Sequence, residues 1–338
     1  MRDLIRSSLP AACALTALAA FPLVGSAFYV DLVGKIMILA IFALSLELLV
    51  GTTGLVSLGH AAFLGVAAYA TAMLSARGVE ALAPLLGGAM LAAGLYALLV
   101  GALALRTRGI YFIMVTLAFA QMAYFVFHDT KVGGGSDGIY LYAKPVVALG
   151  AATLDLQRPL AFYGFVLACL AGTWALLALV LRSRFGHALA GIRVNEQRMR
   201  AAGFATYPYK LAAFVLAGVL AGLAGALYAL KDGYVNPEIL SWHQSGAVLI
   251  MIILGGLGSL RGAVLGAFAF ALLQELFQSQ ALLGTLAKHW QLPLGLAIIA
   301  CVALMPNGLI GLPAQLARRR AGVARGAAPA ASGATRAG

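Results

Sequence analysis

Ser57 and His60 stand three residues apart in GTTGLVSLGHAAFLGVAAYATAML, residues 51–74. A hydroxyl and an imidazole could serve as nucleophile and base, but nothing near them supplies the third group that would orient the imidazole. A polar patch in an otherwise apolar helix is the simpler reading, placed there for packing or for contact with a substrate. Metalloprotease HExxH and Walker A sequences are absent, and KVGGGSDG (residues 131–138) reads as a glycine-rich turn, with no strand before it and no Gly-Lys-Ser/Thr after it. Cys13, Cys169 and Cys301 are isolated in apolar segments, so neither a disulfide framework nor a metal site is expected.

Polar side chains inside apolar runs are informative, because burying them in lipid is costly and they face a bundle interior or a cavity. Here they are Glu47, His60, Gln121, Gln274 and Glu275. Glu47 and Glu275 also read as residues near a membrane end or neutralised by a helix neighbour, and Gln121 as a hydrogen bond between helices. Ser57, Gly59, His60 and Gln121 are assigned to a translocation path or to a helix break, since glycines 51, 54, 59 and 65 interrupt the segment there. Interrupted segments are tolerated at membrane depth where they are buried in protein or line a cavity.

The charged chemistry is concentrated elsewhere. Between Arg182 and Lys210 lie Arg182, Arg184, Arg193, Glu196, Arg198, Arg200 and Lys210, seven of the chain's 34 charged residues. Leu189, Ile192 and Met199 fall on one face at helical spacing, Arg193, Glu196 and Arg200 can pair at i,i+3 and i,i+4, and Gly203 is the expected stop. The loop thus predicts a short amphipathic helix outside the membrane, with an apolar stripe that rests on its own protein, on lipid headgroups, or on a cytoplasmic partner.

The elements around it are membrane spans. The chain is 62% hydrophobic and 10% charged with a mean hydropathy of +0.96, where a soluble domain carries roughly 25% charged residues. About ten spans are expected, giving an all-α polytopic membrane protein: an apolar run from Ala11 to Val30 (an anchor or a cleaved signal), a turn at Asp31–Lys35, a span to Val50, and so on to a last span at Leu292–Met305. Residues 1–317 form the transmembrane domain, with the loop 182–210, and residues 318–338 a basic tail expected to be disordered. Placing both termini and this loop inside puts sixteen of the 23 Lys and Arg inside and seven outside, as the positive-inside rule requires. That distribution accounts for the net charge of +12 without nucleic acid. Gly258, Gly262 and Gly266 are spaced by four, a helix-packing face.

Three stretches together resemble a known family: GLVSLGHAAFLGVAAYATAML, RFGHALAGIRVNEQRMRAAGFATYPYKLAAFVLAGVLAGLAGALYA and GGLGSLRGAVLGA. They are similar to the branched-chain amino-acid ABC transporter permeases of LivM type. The resemblance implies a multi-pass bacterial inner-membrane subunit that pairs with a LivH-like permease, two cytoplasmic ATPase subunits and a periplasmic substrate-binding protein. It implies no cofactor on this chain, with ATP used by the partners, and it gives Gly186, Arg193, Asn195, Glu196 and Gly203 a part in coupling to the ATPase. The connections His128–Pro159 and Lys231–Ser245 would receive the binding protein. Val56 stands where the family usually has Gln, and Val194 where it usually has Glu. A urea- or amide-type importer permease would carry the same motifs, whereas a stand-alone secondary transporter or channel would act without an ATPase.

Overall fold

A computed structural model gives the fold and describes residues 14–23, 25–141, 146–149, 152–279, 284–305 and 308–312. The tail 318–338 and Cys13 lie outside the described residues. The helices are α1 Ala14–Leu23, α2 Ala27–Glu47, α3 His60–Ala76, α4 Leu82–Ala104, α5 Ile110–Asp129, α6 Pro159–Arg182, α7 Arg184–Val194, α8 Glu196–Ala201, α9 Thr206–Asp232, α10 Trp242–Gly255, α11 Leu260–Gln278 and α12 Gln291–Leu304. A π-helical turn, Leu48–Thr53, extends α2.

Seven helical segments are long and apolar enough to cross a membrane: α2 with its extension, α4, α5, α6, α9, α11 and Gln291–Gly311. With the shorter α1, α3 and α10 there are ten apolar helices among the described residues. At a rise of ~1.5 Å per residue, α10 reaches only about 21 Å, short of a ~30 Å hydrocarbon layer.

Burial sorts the helices into layers. The apolar window of α2 is 89% buried and that of α9 61%, against 22% for α5 and α6, so α2 and α9 form the interior and α5 and α6 the perimeter. In α9, the small residues permit this. A Cβ on Gly218 would lie 2.3 Å from the Ala97 Cβ, on Gly222 2.6 Å from the Ala93 Cβ, and on Gly225 2.0 Å from the Leu64 carbonyl. Without a hydrophobic driving force between helices in lipid, such close approach is what binds them.

One expectation needs correction. Asp31–Lys35 is no turn: it lies within α2, where Asp31 accepts from Lys231 Nζ at 2.8 Å. The charge is neutralised by a partner 200 residues away, so the helix has no reason to break there. Small strands also appear in an otherwise helical chain. Ile139–Tyr140 (β1) pairs antiparallel with Tyr234–Val235 (β4), and Val146–Leu149 (β2) with Ala152–Asp155 (β3).

The β1–β4 pair joins the connections after α5 and α9 into one surface, reinforced by the Tyr234 hydroxyl donating to the Asp137 carbonyl at 2.8 Å. The second connection is not wholly external, however. Its 3-10 turn Pro237–Leu240 dips into the bundle, with Leu240 fully buried and pressed on Gly65 of α3.

Candidate coupling site and helix break

The central loop folds as two helices rather than one. Ser183 caps α7 by accepting from the Gly186 N–H at 3.3 Å. Gly186 is needed at that corner, because a Cβ would stand 2.5 Å from the carbonyls of Val180 and Leu181. Asn195 breaks the run: its extended backbone ends α7, and its side chain caps α8 by accepting from the Arg198 N–H at 2.9 Å. Gly203 stops α8 as expected, with φ +87° and with Phe204 N–H donating to the Met199 carbonyl at 3.0 Å.

The apolar stripe is already used. Leu189 is fully buried and Ile192 nearly so, and α7 packs on α6, α9 and the π-turn of α2. Met199 lies back over Gly191, where a Cβ would meet its sulfur at 2.8 Å. What remains open is the other face, where Val194 is 84% exposed beside a groove of about 440 Å³ lined by Gly51, Thr52, Gly186, Ala190 and Arg193.

Glu196 ties the loop to the next span. Its Oε1 accepts from Arg200 Nη2 at 2.5 Å, Lys210 Nζ at 2.9 Å and the Thr206 hydroxyl at 3.0 Å. Partial burial pushes its pKa up, but the hydrogen bonds from Lys210 and Thr206 and the Lys210 charge outweigh it, and the net is a fall from the ordinary 4.5 to about 2. Arg193 does not join this cluster. Its Nη1 donates to the Gly51 carbonyl at the end of α2, so the expected Arg193–Glu196 pairing is replaced by a grip on the membrane core.

At the same corner, Glu47 is 2% exposed and accepts from the Gly258 N–H at 2.6 Å. Gly258 therefore lies in the turn before α11, with φ +88° and a Cβ position that meets only Arg193 Nη1, at 3.9 Å, and not on the packing face. The other two glycines do pack. A Cβ on Gly266 would lie 1.9 Å from the Met251 carbonyl and one on Gly262 2.5 Å from the Gly256 carbonyl. Their partner is Gly255 of α10, whose own Cβ would strike the Gly262 carbonyl at 1.8 Å.

The helix break leads into the protein interior. Ser57 and His60 are both fully buried, and they do not bond each other. The Ser57 hydroxyl accepts from the Gly59 N–H at 3.2 Å, Gly59 presses on the Thr116 carbonyl, and the Ser245 hydroxyl accepts from the Ala61 N–H at 2.9 Å. One of the orphan amides that open α3, that of Ala61, is thus satisfied by α10. His60 lies 2.8 Å from the Ser45 hydroxyl through Nε2, stacked on Phe42 and edge-on to Phe63. Gln121 sits half-buried on the perimeter helix α5. The geometry favours packing over substrate contact for Ser57 and His60 within this chain. Ser45, Ser245 and Gly255 were missed; a lone serine or glycine in an apolar run carries no spacing signal until its partner is known.

The matching family model, described as branched-chain amino acid transport system / permease component, covers residues 28–303. Among curated proteins, the chain is 28% identical over 330 residues to the high-affinity branched-chain amino acid transport system permease protein LivM of Salmonella typhimurium and to that of Escherichia coli. Each match covers 91% of this chain and 76% of the relative. An autoinducer 2 import system permease protein LsrC of Klebsiella pneumoniae is 34% identical over 107 residues, 28% of this chain and 31% of its own. No solved structure matches significantly. With the ten apolar helices and the match over most of its length, the chain belongs to the permease component family of the branched-chain amino acid transport system.

Proposed function

We propose that this permease forms half of the membrane path of a bacterial ABC importer for branched-chain amino acids, with both termini and the α7–α8 loop on the cytoplasmic side. Its partners would be a LivH-like permease, two ATPase subunits and a periplasmic binding protein. The observation that carries the coupling role is the loop's division of labour. One face of α7 is spent on α6, α9 and the end of α2, while Val194 stands exposed on the other beside an open groove. A docking ATPase would cover Val194 and move α7 as a rigid piece. Alternating access would follow as that movement tilts α6 and α9, which the loop joins, and ATP would supply the free energy without ion coupling.

The β1–β4 surface would receive the binding protein, which carries most of the substrate selectivity. Partial likeness to an autoinducer 2 import permease keeps a different small polar substrate as the second reading. Co-purification with the ATPases, comparing wild type with Val194→Asp, tests the coupling role. Loss of the ATPase from a normally folded permease is expected, and undiminished binding would contradict it.

A further inference from the structure

Three pieces of chain converge on one buried carboxylate. Glu47 ends α2 and folds over its own π-turn, so closely that a Cβ on Gly51 would lie 1.9 Å from Oε1. The same Oε1 accepts from the Gly258 N–H at 2.6 Å, which fastens the turn before α11. Arg193 arrives from α7, donates to the Gly51 carbonyl, and brings its Nη1 to 3.9 Å from where a Cβ on Gly258 would stand. Glu47 Oε2 is buried with no hydrogen-bond partner among the described residues. A buried carboxylate with one oxygen unsatisfied is costly unless something else requires it. A neutral side chain of similar size would pack the corner at lower cost.

The second feature is mechanical. A π-turn is a local irregularity that lets a helix end change its pitch, and such turns recur at functional sites. Here the π-turn ends at Gly54, φ +73°, and a Cβ on that residue would lie 3.4 Å from Arg193 Cγ. Arg193 therefore holds the deformable end of α2 on one side, while Glu47 holds the α10–α11 turn on the other.

We propose that Glu47 is a positioning residue for transport. Its carboxylate binds the π-helical end of α2 to the turn before α11, so that loop movement carried by Arg193 shifts both helices together. This rests on the reading of the loop as the ATPase-facing element. Without the carboxylate, α7 would still move with the ATPase, but α11 would no longer follow.

The test uses the complete transporter in proteoliposomes: this chain with its permease partner, ATPases and binding protein. Three quantities are measured: ATPase retained per permease, ATP hydrolysed, and labelled leucine taken up. Glu47→Ala is expected to retain the ATPase and hydrolyse ATP while moving about tenfold less leucine per ATP, the effect of one lost buried hydrogen bond. Glu47→Gln keeps an oxygen for the Gly258 N–H and should recover coupling to within about threefold of wild type, a smaller loss of the same kind. Were Glu47→Ala unable to assemble, a lowered leucine-to-ATP ratio in Glu47→Gln would still support the proposal. An unaltered ratio in whichever variants assemble, with uptake falling only as assembled complex falls, overturns it. Wild type that retains no ATPase would instead contradict the functional reading of the loop.

Discussion

The Lys210 ammonium donates to Glu196 Oε1 at 2.9 Å, and its side chain is only 8% exposed. Together with the Thr206 hydroxyl, which donates to the same oxygen at 3.0 Å, this contact closes the loop onto the start of α9, so the loop and the span behind it form a continuous solid element. Removing Glu196 strands a nearly buried cation beside Arg200. Glu196→Ala is therefore expected to destabilise the α8–α9 corner by about 1–3 kcal/mol, read as faster proteolysis between Arg198 and Lys210 with the transmembrane core intact. A cleavage rate equal to wild type would contradict this role.

The same carboxylate predicts a pH dependence. Its pKa falls from 4.5 to about 2 on folding, so the folded state binds fewer protons than the unfolded one over that window. The stabilisation is present in full above about pH 4.5 and is lost as the pH falls toward 2. Measured relative to the intrinsic amide rate, which itself slows with falling pH, hydrogen exchange in the loop should accelerate over this window in wild type. Glu196→Gln, which cannot titrate, should lose that acceleration and exchange faster already at neutral pH.

The α10–α11 hairpin depends on backbone contact. Gly266→Ala would drive a methyl to 1.9 Å from the Met251 carbonyl, a contact with main chain that cannot rotate away. Overpacking of this kind costs about 1–3 kcal/mol, and a clear fall in thermal stability in detergent is expected. Gly172→Ala on the perimeter helix α6 is the control, since a Cβ there meets nothing within 4 Å. Its stability should equal wild type or exceed it slightly.

His60 separates packing from substrate contact. Its ring fills the space between Phe42 and Phe63 and is fully buried. His60→Ala should cost about 3–5 kcal/mol, as truncation of a large core ring does. The KM for substrate in whatever complex survives should stay within about twofold of wild type, as expected where no binding contact is lost. A raised KM at unchanged stability would place His60 on the path instead.

Much of this was legible in the chain itself. Span positions followed from apolar runs, the special role of residues 182–210 from the crowding of charge, and Gly203 from its position after Arg200. The fate of the amphipathic stripe did not follow, because Leu189 and Ile192 look the same whether they cover a partner or their own α9. Arg193 was misdirected for a related reason. Spacing along one helix offers Glu196, while the actual acceptor is the main chain of Gly51, 142 positions earlier. Asp31 misled because a charge in an apolar run reads as a boundary until Lys231 is known to meet it.

The role proposed for the loop is to pass the work of a separate ATPase into this permease. The most direct measurement is ATP-dependent uptake of labelled leucine by the reconstituted complete transporter, comparing wild type with Val194→Asp. Uptake should require both ATP and the binding protein, and the variant should lose about tenfold or more, as for a central apolar contact at an interface. Uptake by this chain alone, without ATPase or ATP, would contradict that role.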